Sequence, residues 1–140
     1  WMGRDYGEGK THTDYAREKL QAIKNTAIVN KATGISASFG VVGVNKMISN
    51  KAVGKSKRNG FTRDEHLDAV ENIKALFENA SLEEVQEDKN HASSLKSIQR
   101  YVATMDDMKE AFITVKEATV EGHHIYSLEL RKTKNAPSEG

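Results

Sequence analysis

An α+β fold follows from three observations on this 140-residue chain. Helical periodicity dominates the first half, strand-like alternation dominates the second, and the glycine-containing turn "TVEGHH" joins the last two alternating runs. Helices followed by consecutive antiparallel strands is the segregated order of that class. The expected architecture is N-terminal helices packed on a roughly four-stranded antiparallel sheet, with an appended β-hairpin.

Residues 1–13, polar and glycine-rich, are expected to be a flexible arm. From Asp14 onward, Tyr15, Leu20 and Ile23 fit a short amphipathic helix capped by Thr13 or Asp14. "TAIVNKATGISASFG" reads as a hairpin over about residues 26–40, with "NKATG" as its turn. "VVGVNKMIS" reads as a short helix or helical turn, and the stretch after it as a basic loop punctuated by Gly54 and Gly60. The clearest helix signal runs from residue 63 to about 79. Thr62 and Glu65 form a capping box, and Leu67, Val70, Ile73, Leu76 and Phe77 make one apolar stripe. "SLEEVQEDKNHASS" reads as a short strand and then a loop. Three further strands are expected at 95–103, 111–118 and 124–131. On the first, Ile98, Arg100 and Val102 share a face; on the second, Ile113 and Val115 oppose Phe112, Thr114 and Lys116. On the third, Tyr126, Leu128 and Leu130 share a face. A single domain is expected over 14–131, with its core at about 60–131 and a disordered tail at 132–140.

The net charge of +1 conceals a marked asymmetry. Six bases and no acids lie between Lys46 and Arg63, whereas nine acids face Lys74 alone between Asp64 and Asp88. A nucleic-acid partner would therefore meet a local patch, since the molecule as a whole is not basic. The absence of cysteine excludes disulfides, thiolate catalysis and zinc–thiolate sites. No apolar run has the length of a membrane span and no signal segment is visible, so a cytoplasmic location without a membrane partner is expected. Trp1 precedes Met2, and the chain reads as a piece excised from something larger.

Chemistry-bearing residues fall into two sets. Lys51, Lys55, Lys57 and Arg58, with Gly54 and Gly60, are suited to binding phosphate through point charges, a guanidinium and accessible backbone amides. They do not form a Walker loop, because Ser49 stands where its first glycine is required. Their alternative reading is an ordinary solvated basic loop. His66 is either a general acid/base beside that surface or a half-buried staple partner for Phe61. Arg100 interrupts an apolar alternation, so it is paired, snorkelling or functional. Thr114 and Lys116 project from one face about 7 Å apart by strand rise. With Arg100 they would make an oxyanion clamp, or else a plain solvent-facing surface. His123 and His124 point to opposite faces, and Asp106, Asp107 and Glu110 lack calcium-loop spacing, so no metal and no cofactor is expected.

"VNKMISNKAVGKSKRNGFTRDEHLDAVENIKALFENASL", "SIQRYVA", "FITVKEA" and "GHHIYSLEL" together resemble the third family of large polyvalent-protein-associated domains of phages and mobile elements. They are also similar to the nuclease superfold that joins barnase, EndoU, colicin E5/D and RelE-like toxins. The resemblance spans about residues 14–131. It implies a metal-independent, toxin-like endoribonuclease: a base deprotonates the ribose 2′-OH, which attacks the adjacent phosphate to leave a 2′,3′-cyclic phosphate. On this chain His66 would be the acid/base, Arg100 and Lys116 the phosphate cations, and Thr114 and Tyr126 hydrogen-bonding supports. RNA, tRNA included, would be the partner, with an immunity or other regulatory protein beside it. The chain departs from the pattern in having no second well-placed histidine and no exposed aromatic row for base stacking. A non-catalytic nucleic-acid- or protein-binding module on the same fold is the alternative.

Overall fold

Along the computed structural model, which describes residues 10–87, 95–105, 108–118 and 122–133, a short mixed segment gives way to helices and then to strands. α1 (His12–Ile23), β1 (Ile28–Val29) and β2 (Ser36–Ser38) come first. α2 (Val41–Ile48), α3 (Asn50–Arg58), α4 (Arg63–Glu71) and α5 (Ile73–Glu78) follow. β3 (Ser81–Glu87), β4 (Leu95–Thr104), β5 (Lys109–Ala118) and β6 (Gly122–Lys132) complete the order. The class is α+β, as the sequence predicts. The expected end segments and the loop holding His91 lie largely or wholly outside the described residues.

The six strands form one sheet in the order β1-β2-β6-β5-β4-β3. β3 to β6 make the expected antiparallel meander. The appended hairpin joins the main sheet: Ala37 and Ser38 pair in parallel with His123 and His124, so β2 extends it. One face is covered by helices. Tyr101, Ala103, Ala111, Ile113, Val115, Ile125, Leu128 and Leu130 are buried there, while Phe112, Thr114 and Lys116 on the other face keep partial exposure. Phe77 of α5 meets Tyr101 edge-on at 4.9 Å between ring centroids.

Several local expectations change for identifiable reasons. α1 starts before Asp14 because Thr11 is its cap, in a capping box with Asp14. The basic stretch is a helix rather than a loop. Ser49 caps it by accepting from the Ala52 N–H, and Lys55, Lys57 and Arg58 in the last turn complement the helix dipole. Gly60, at φ +97°, then closes a Schellman motif: its N–H donates to the Lys57 carbonyl and that of Phe61 to the Ser56 carbonyl. The helix expected over 63–79 breaks at Asn72, whose side chain donates to the Asp68 carbonyl and displaces the regular ladder. On β4 the core face carries Gln99, Tyr101 and Ala103, and Ile98, Arg100 and Val102 lie on the open face.

The third strand also departs from simple alternation. Thr114 pairs with Ser127 but Val115 with Ile125, which leaves Tyr126 as an extra, bulged residue. Ile125 therefore joins Leu128 and Leu130 in the core, and Tyr126 turns away from it. α2 lies tightly against this segment at Gly43, where a Cβ would stand 2.7 Å from Phe39 Cβ and 2.9 Å from the Ile125 carbonyl oxygen.

Candidate functional site

Beyond its pairing with β2, the outer edge of β6 has no strand neighbour among the described residues, and α2 and α3 cover it instead. The α2–α3 elbow at Ser49 sets Lys46 in the last turn of α2 beside Lys51 and Lys55, four residues apart on one face of α3. These three lysines, Ser49, Tyr126 and Ser127 line a small cleft between the helices and the β6 bulge, with Glu129 also on its wall. Lys116 reaches the same place from β5: its Nζ lies 3.4 Å from the Tyr126 ring centroid, and Lys46 Nζ lies 5.3 Å from it. None of Lys46, Lys51, Lys55 and Lys116 forms an ion pair among the described residues. Two ammonium groups thus face the Tyr126 ring, and two more line the cleft beside it. A hydrogen bond from Lys46 is the main influence holding the Tyr126 phenol below its ordinary value of 10.0, with the charges of Lys116 and Lys46 acting the same way.

The structure brings together Lys51, Lys55, Lys116 and Tyr126, which the sequence had placed in two separate sets. Thr114 stands in the adjacent row, paired with Ser127 on one side and Arg100 on the other. Arg100 is paired: its guanidinium donates to Gln86 at 2.8 Å and to Glu84 at 3.3 Å. Lys57 and Arg58 are exposed on α3 outside the cleft lining. Lys46 and Ser49 escaped the sequence reading. The signal for them was the elbow itself, which sets the end of one helix beside the start of the next.

His66 lies apart from the cleft, enclosed within the fold. It is fully buried, at 0% exposure. Its Nε2–H donates to the Met47 carbonyl at 2.7 Å, an orphan acceptor in the last turn of α2. Its Nδ1 accepts from the Ser56 hydroxyl at 2.7 Å, and Ser56 Oγ in turn accepts from the Leu130 N–H at 2.9 Å. Burial lowers the His66 pKa from 6.5, against a smaller opposing effect of the Met47 hydrogen bond. Burial thus disfavours the charged imidazole, and both of its nitrogens are committed to partners within the fold. Its chain of hydrogen bonds ties α4 to α2, α3 and the β6 edge, the elements that form the walls of the lysine cleft.

A model of the family described as large polyvalent protein-associated domain 3 matches residues 7–126, a span that contains all four lysines and Tyr126. No curated protein and no solved structure matches the chain.

Proposed function

The chain belongs to the large polyvalent protein-associated domain 3 family, and from the lysine cleft we propose that it acts there as a nucleic-acid-binding module that grips the phosphate backbone. The supporting observation is the convergence of Lys46, Lys51, Lys55 and Lys116 around Tyr126 without intramolecular ion pairs among the described residues. Lysines act on phosphate as point charges, and their binding is relieved of counterions and hence salt-dependent. Lys116 already sits over the one tyrosine ring at the site, so base stacking contributes little and recognition is independent of sequence. The test is fluorescence anisotropy of a single-stranded RNA across a salt series. Binding should weaken with a log–log slope of about −0.7 for each phosphate neutralised. The Lys51→Glu/Lys55→Glu double variant should bind at least tenfold more weakly with a shallower slope. Equal binding by the variant, or no salt dependence, overturns the reading.

A second reading is metal-independent endoribonuclease activity with Tyr126, rather than His66, as the proton acceptor. It is favoured by the placement of Lys116 and Lys46 at 3.4 Å and 5.3 Å from the Tyr126 ring centroid, where they favour the charged form of the phenol. In it the phenolate takes the 2′-OH proton, the freed oxygen attacks phosphorus, and the 5′-oxygen leaves with a proton from a lysine ammonium. Incubation with total tRNA in EDTA decides it. Cyclic-phosphate ends produced by the native chain and not by Tyr126→Phe support cleavage, and intact RNA in both lanes removes it.

A further inference from the structure

α4 carries Asp64, Asp68 and Glu71 at spacings of four and three residues, which puts the three carboxylates along one helix face. Asp64 favours the positive helix N-terminus, but Asp68 and Glu71 lie toward the negative end and repel one another at that spacing. The first residue of α1 approaches this face: His12, only 7% exposed, points its imidazole into the row. Its Nδ1 lies 2.7 Å from Asp64 Oδ1; its Nε2 lies 2.7 Å from Glu71 Oε2 and 3.2 Å from Asp68 Oδ1.

We propose that His12 Nε2, Asp68 and Glu71 form a binding site for a divalent transition-metal ion that clamps α1 to α4. The three ligand atoms lie within 4.8 Å of one another. Metal bonds of about 2.0–2.2 Å require separations of about 3.4 Å between tetrahedral ligands, so the separations need change by no more than about 1.4 Å, shared among the three side chains. One imidazole nitrogen with two carboxylate oxygens suits zinc or manganese, whereas calcium and magnesium take all-oxygen sets. Asp64 plays a different part. It accepts from Nδ1–H and so fixes the tautomer that leaves Nε2 for the metal, the arrangement in which metal-bound histidines are generally held. The Asp68 side chain is 48% exposed, which gives the ion an entry path from solvent. The site is independent of the lysine cleft and of any reading of it.

The experiment is calorimetric titration of the intact chain with zinc chloride, paired with thermal unfolding with and without the ion. Binding of one zinc ion per chain, a raised Tm, and no comparable response to magnesium are expected. His12→Gln and Glu71→Gln should weaken binding at least tenfold. Asp64→Asn should weaken it by about tenfold through loss of orientation. Asp68→Asn, at a half-exposed position, provides the comparison if either buried variant fails to fold, and it too should lose at least tenfold. No stoichiometric binding by the native chain overturns the proposal. So does unchanged binding by the folded variants, which would move the ion to other histidines.

Discussion

The nine residues of α3 present two unlike faces, and the difference separates what this chain needs to fold from what it offers a partner. On the inner face Ala52, Val53 and Ser56 are buried, and Ser56 Oγ relays a hydrogen bond from the β6 edge to His66. On the outer face Lys51 and Lys55 open onto the cleft with no ion pair among the described residues. Inside, the Ser56 hydroxyl has defined partners, and burial makes it costly to lose. Outside, the polar groups hold like charges close together, which adds nothing to stability and suits an anionic ligand. The closeness of His66 to the lysines of α3 in sequence is therefore no indication of a shared site. The direction in which the helix turns each side chain decides it.

The largest effect that would sharpen this contrast comes from His66→Ala. It opens a cavity and strands the Met47 carbonyl and the Ser56 hydroxyl, at a cost of about 3–5 kcal/mol in a denaturant titration. RNA affinity of the fraction that remains folded should stay within about twofold of the native chain under the counterion-release account. A large affinity loss in stable, folded His66→Ala protein would instead put the imidazole in the site. Ser56→Ala comes next. It deprives the Leu130 N–H and His66 Nδ1 of their partner together, and about 2 kcal/mol of stability should be lost.

The pH dependence is smaller and has a definite sign. The folded pKa of His66 lies below 6.5 chiefly because of burial, with Arg63 adding to the shift and Glu129 opposing it. The unfolded chain therefore binds more protons in that window. The stability contribution is complete above pH 6.5 and is lost as pH falls from there through the folded value. Unfolding free energies measured from pH 8 to pH 5 should decline more steeply for the native chain than for His66→Gln. Parallel curves would mean that the imidazole is not held neutral.

What the sequence made legible was local. The Thr62–Glu65 capping box spans four residues and was read correctly, as were the alternation of β5 and the hairpin near Gly34. Features set by distant partners were hidden. His66 is satisfied by residues 10 and 19 positions away, and His12 meets carboxylates 52 and 59 positions away. No spacing rule covers such separations. The bulge at Tyr126 was missed because Ile125, Leu128 and Leu130 do not share a strict period of two. Half of the cleft was recognisable by residue type, Lys51 and Lys55 as one set and Lys116 and Tyr126 as another. Their meeting depended on α3 being a helix, and the Schellman turn at Gly60 that ends it was read as loop punctuation.

The finest test of the two-face contrast stays within α3 and compares Lys55→Glu with Lys57→Glu. Both residues lie in the last turn, so reversing either charge costs about the same against the helix dipole, about 0.3–1 kcal/mol. Net charge changes identically as well, so any long-range steering of RNA is weakened equally. Only Lys55 lines the cleft. If binding is to that cleft, Lys55→Glu should lower affinity several-fold more than Lys57→Glu, and the salt slope should become shallower by about 0.7 for Lys55→Glu alone. Equal losses in the two variants would reassign binding to the diffuse basic surface of α3 and leave the convergence on Tyr126 without a role in affinity.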